Sequence, residues 1–99
     1  MNKQSEKSFR SKLQKKITKL FPDCMILPLD PKHTQGIPDI LILYKNKWAT
    51  LETKKSSSAS KRPNQSYYVN KMNNMSFSCF INPDNEEEVL NELQQAFDI

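Results

Sequence analysis

Apolar and polar positions recur with two different periods along this chain, and the periods divide it into helices and strands. Residues 5–21 place Phe9, Leu13, Ile17 and Leu20 at helical spacing with lysines between them, which predicts an amphipathic helix. Pro22 ends it. Residues 24–29 (Cys-Met-Ile-Leu-Pro-Leu) read as a strand with Pro28 at an edge or bulge, and 30–38 as a loop with two more prolines and the lone Gly36. Residues 39–44 and 47–54 read as a hairpin. Its first strand is continuously apolar, which predicts cover on both faces. After a Ser/Lys-rich connection at 55–62, Pro63 opens a helix over about 63–74. Gln65, Tyr68, Val69 and Met72 share one of its faces. Residues 76–81 alternate as a strand. Asn82-Pro83 then starts a last helix, capped by Asn82, with Val89, Leu90, Leu93, Ala96 and Phe97 as its buried stripe.

The predicted order is αβββαβα in a single domain over 1–99, an α/β fold with a mixed central sheet flanked by helices. A right-handed crossover from 54 to 76 would make the last strand parallel to the third.

Charge sharpens this picture. Net charge is only +4, but residues 84–99 carry six acids and no Lys or Arg, so 1–83 hold all 15 basic residues against five acids. A surface this basic suits a polyanion such as nucleic acid. No apolar run approaches membrane-spanning length, and the polar, lysine-rich start lacks an apolar leader core, so a soluble, cytoplasmic protein with no membrane partner is expected. Cys24 and Cys79 lie in separate apolar runs, without a CxxC pair and with one histidine in the chain. Structural zinc is therefore not expected, and reduced, buried thiols are.

The candidate chemistry lies on the hairpin. Gly36-Ile37-Pro38-Asp39 precedes the first hairpin strand, and Glu52-Thr53-Lys54 closes the second. Glu52 and Lys54 are two apart on a strand and project from one face. A two-residue turn at Lys45-Asn46 pairs Tyr44 with Lys47 and sets Asp39 opposite Glu52. A three-residue turn would set it opposite Thr53 and break the site. Asn46 is the residue suited to a left-handed turn conformation. Magnesium takes hard oxygen ligands, which the Asp39 and Glu52 carboxylates and the Thr53 carbonyl could supply. Lys54 beside them could orient a water or neutralise charge on phosphate oxygens. Glu6 lies on the inward stripe of the first helix and could hold the same metal, directly or through water, or a second ion. Gln65, polar on an apolar face, could bond Lys54 or a substrate phosphate. Lys55, Lys61, Arg62 and His33 are candidate DNA contacts. Singly these features are weak: Pro22-Asp23 and Pro83-Asp84 repeat the Pro-Asp pair without the rest.

Together the residues resemble the PD-(D/E)XK nuclease superfamily, and within it small VRR-NUC and Holliday-junction-resolvase-like proteins common in phages. The match comprises Glu6 with Phe9, Gly36-x-Pro38-Asp39, Glu52-Thr53-Lys54, Gln65 with Tyr68, and Asn82-Pro83 before an acidic helix. The resemblance implies a restriction-endonuclease-like αβββαβ core, Mg²⁺ or Mn²⁺ dependence, and often a homodimer. Asp39 and Glu52 would be ligands, Lys54 the catalytic lysine, Glu6 a further acidic ligand and Gln65 a supporting residue. Two departures are a hairpin turn without glycine and a serine-rich loop before the second helix. The expected activity is a metal-dependent endodeoxyribonuclease leaving 5′-phosphates on branched or structured DNA, phage-encoded and acting in a bacterial host. A homing or restriction-type site-specific endonuclease is the alternative. The intact Asp39, Glu52 and Lys54 argue against a non-catalytic DNA-binding module.

Overall fold

The computed structural model describes residues 5–98 and contains seven elements: α1 (Glu6–Leu20), β1 (Met25–Pro28), β2 (Ile40–Tyr44), β3 (Lys47–Thr53), α2 (Pro63–Met75), β4 (Phe77–Ile81) and α3 (Glu86–Ala96). They form an α/β fold with a four-stranded mixed sheet in the order β1-β2-β3-β4. The first two pairings are antiparallel, and β4 runs parallel to β3, as the helical crossover requires.

Local chemistry accounts for most boundaries. Ser5 caps α1 by accepting the Ser8 N–H at 3.0 Å, and the helix stops before Pro22. Pro63 occupies the first turn of α2, where its missing N–H costs nothing. The hairpin turns on two residues, with Tyr44 opposite Lys47. The positive φ falls on Lys45 (57°) and not on Asn46, so the residue better suited to that conformation is not the one that adopts it. α3 starts at Glu86, later than the Asn82-Pro83 signal indicates. Asn82 spends its side chain on the N–H groups of Asp84 and Asn85 (2.7 and 3.1 Å), which makes a turn, and Asn85 becomes the residue before the helix.

Two helices share one face of the sheet. Phe9, Leu13 and Ile17 of α1, with Phe21 just beyond it, and Val89, Leu90 and Leu93 of α3 pack on Ile40, Ile42, Ala49, Leu51 and Ile81. Phe21, Tyr44 and Phe97 close one end as an aromatic cluster with centroids 5.1–5.7 Å apart. On the opposite face α2 packs against β3 and β4. Leu41 and Leu43 of β2 are therefore half-buried, not covered on both faces as their apolar run suggests. Both cysteines are free and half-buried, and burial raises each thiol's pKa. No helix among the described residues is long and apolar enough to cross a membrane.

Candidate functional site

The open end of the sheet collects the chemistry. β3 and β4 both finish there, bound by Lys54 N–H to Ile81 O at 2.8 Å, and both α1 and α2 begin there. The 30–38 loop forms another wall. Gly36 takes φ +91°, and a Cβ on it would lie 2.8 Å from the Asn64 carbonyl carbon, so only glycine lets the loop close onto the start of α2. The result is an open pocket of about 460 Å³ whose lining includes Glu6, Asp39, Glu52, Lys54, Arg62 and Gln65.

Asp39 stands one step before β2, and the register of the hairpin places it opposite Glu52. The Thr53 N–H donates to Asp39 Oδ2 at 2.8 Å, and the Thr53 hydroxyl donates to the same oxygen. Arg10 Nη1 approaches that oxygen to 3.6 Å. The main-chain carbonyl of Asp39 accepts the Leu29 N–H at 2.8 Å, which ties the residue to the end of β1.

Glu52 is 3% exposed and Lys54 9%. Gln65 sits between them and satisfies both: its Oε1 accepts from Lys54 Nζ at 2.9 Å and its Nε2 donates to Glu52 Oε2 at 3.1 Å. The same Oε1 accepts the Arg62 N–H at 3.1 Å at the helix entrance. Lys54 Nζ lies 3.9 Å from Glu52 Oε2, a loose ion pair. Glu52 Oε1 is buried and has no hydrogen-bond partner among the described residues. Burial pushes the Glu52 pKa up from 4.5 to about 7. The Asp39 charge adds to the rise, Lys54 opposes it, and Glu6 contributes a smaller increase.

No family model matches the chain, and no curated protein or solved structure shows significant similarity to it.

An unpartnered carboxylate oxygen costs roughly 1–3 kcal/mol. A hard divalent cation between Asp39 and Glu52 would remove that cost and favour the ionised form, so the donor set fits one. The fit is two acids and not three: no group of three His, Cys, Asp or Glu among the described residues could hold a metal ion. Glu6 therefore shares the pocket without completing a three-acid cluster. Thr53 engages Asp39 through its N–H and hydroxyl, a role beyond the carbonyl assigned to it from the sequence.

The candidate DNA contacts divide. Lys55 and Arg62 line the pocket. Lys61 instead lies over the Phe80 ring at 4.7 Å. His33 is not brought to the pocket. Its N–H closes a turn on Asp30 O at 3.1 Å, and the residue lines a neighbouring cavity with Leu41, Trp48 and Met72. Sequence reasoning missed Arg10. Nothing separates it from the helix lysines except its position one turn after Glu6, which puts both on the same flank.

Proposed function

We propose that this protein is a divalent-metal-dependent endodeoxyribonuclease of the PD-(D/E)XK type with a restriction-endonuclease-like core. The observation that carries the reading is the coupled trio in one pocket: Glu52 with an unpartnered buried oxygen, Lys54 beside it, and Gln65 bonded to both. A structural ion pair would direct both carboxylate oxygens at its partners. Here one oxygen is left over, next to a second acid.

Asp39 and Glu52 would hold Mg²⁺ or Mn²⁺, with Glu6 near enough to bear on the charge. The metal's contribution would be to polarise the scissile phosphate and lower the pKa of a water. Lys54, its ammonium steadied by Gln65, would orient the attacking water and offset charge developing on the phosphate oxygens. Gln65 fixes the lysine without competing for its charge. Lys55 and Arg62 at the rim would bind the DNA backbone, and Lys61 would join them on leaving the Phe80 ring. Contacts of this kind carry no base information, so recognition by shape is favoured, and with it a branched or structured substrate cut by a two-chain assembly. A phage-encoded enzyme acting in the host cytoplasm is the setting that the resemblance implies.

Supercoiled, linear and four-way-junction DNA incubated with Mg²⁺, Mn²⁺ or EDTA tests the reading. Cleavage is expected only with metal, and preferentially on the junction. Robust cleavage in EDTA would contradict it.

A further inference from the structure

We infer that the Thr53 hydroxyl is a positioning group for the Asp39 carboxylate, holding one oxygen so that the other is presented to a divalent cation. The inference rests on the metal-dependent reading above and concerns a side chain to which that reading gives no role.

Three contacts converge on Asp39, and all three go to Oδ2. They are the Thr53 N–H at 2.8 Å, the Thr53 hydroxyl, and Arg10 Nη1 at 3.6 Å. None goes to Oδ1. The two donors on Thr53 are fixed relative to each other, because the residue is the last of β3, 0% exposed, and β-branched with a stiff χ1. Arg10 is a long, half-exposed side chain and adds charge more than direction. The direction of the carboxylate is therefore set by Thr53. With Oδ2 occupied, Oδ1 is the oxygen left for a ligand in the pocket that Asp39 shares with Glu52, whose Oε1 is itself unpartnered. Loss of a residue that orients a ligand in this way typically costs about 10–100-fold in metal affinity.

This role is separable from that of the Thr53 carbonyl. Thr53→Val keeps the shape, the backbone carbonyl and the N–H, and removes only the hydroxyl. Thr53→Ser keeps the hydroxyl. Binding of Mn²⁺ to the full, DNA-free chain at fixed pH, followed by the loss of the free-ion paramagnetic resonance signal, reads the effect without relying on cleavage. The valine variant is expected to bind Mn²⁺ about tenfold or more weakly than wild type, and the serine variant between the two, since it keeps the hydroxyl but not the β-branch that fixes it. Melting curves without metal establish that each variant is folded. Should the valine variant fail to fold, Thr53→Ala removes the same hydroxyl and is expected to show the same loss. Equal Mn²⁺ binding by wild type and the hydroxyl-free variant would overturn the positioning role and leave the nuclease reading standing. A wild-type chain that binds no Mn²⁺ would overturn both.

Discussion

At the scale of single residues, the site is a set of charges placed where folding alone would not keep them. Glu52 loses stability on ionising, since its pKa is raised from 4.5 to about 7 by burial first and by Asp39 second. The folded state therefore holds the proton more tightly than the unfolded state. Stability falls as pH rises through this window and is restored as pH falls below it, a swing of up to about 3 kcal/mol in metal-free protein. Glu52→Gln removes the swing. At pH 8 without metal the variant is expected to melt above wild type, the gap closing towards pH 4.5 and narrowing when Mg²⁺ is added. A gap independent of pH would show that the carboxylate is not strained. Asp39 predicts a different contrast. Asp39→Ala strips the acceptor from the buried Thr53 N–H and hydroxyl, so it is expected to lose about 1–3 kcal/mol of stability as well as cleavage. Asp39→Asn keeps an acceptor oxygen there and should melt closer to wild type while losing cleavage equally. Chemical denaturation with parallel cleavage assays separates the two effects.

At the scale of elements, the pocket exists because a loop and a helix start are pressed together at Gly36. Gly36→Ala must leave a φ of +91° and push its Cβ into the backbone of Asn64. A loss above about 1 kcal/mol is expected, and cleavage should fall with it because Asn64 leads directly into Gln65. An unchanged melting temperature would mean that the loop accommodates the methyl group cheaply. Much at this scale was legible in the sequence. Sequence left a two- or a three-residue hairpin turn open, and the two-residue turn that the site requires is the one that forms, with Asp39 opposite Glu52. Gln65, polar on an apolar helix face, read as a partner of Lys54 or of a substrate phosphate, and it bonds Lys54. What stayed illegible depended on how pieces dock. The apolar run of β2 implied two covered faces, yet α2 lies over β3 and β4 and leaves Leu41 and Leu43 half-exposed. Asn82-Pro83 carries a helix-start signal, but the asparagine closes a turn and α3 begins at Glu86. The Thr53–Asp39 clamp could not be read because it forms just past the last paired residues of the hairpin, where a side chain and not the ladder accepts the Thr53 N–H. Arg10 is one of many cations along α1 in sequence, and only the docking of that helix singles it out beside Asp39.

At the scale of the whole molecule, the uncovered part of the sheet and the charge distribution suggest how DNA and a second chain would be arranged. Met25, Leu43 and Trp48 lie in register across β1, β2 and β3, with Leu27 and Leu41 in the next row. Met25 is 55% exposed and the other four are half-buried. This apolar band is a better candidate for a two-chain interface than the outer face of α1, which exposes Lys12, Lys15 and Lys19. Sedimentation at micromolar concentration is expected to show two chains for wild type and one for Leu43→Glu, with the fold retained. A wild-type monomer would remove the dimer from the account. Asp39, Glu52 and Lys54 are proposed to form a metal-dependent phosphodiester-cleaving site, and single-turnover cleavage of a labelled four-way junction, with DNA binding measured alongside, decides whether they do. With Mg²⁺, wild type should cut, while Glu52→Gln and Lys54→Ala should bind the junction with similar affinity and cut it slower by orders of magnitude. Wild-type cleavage rates in either variant, or undiminished cutting in EDTA, would contradict the account.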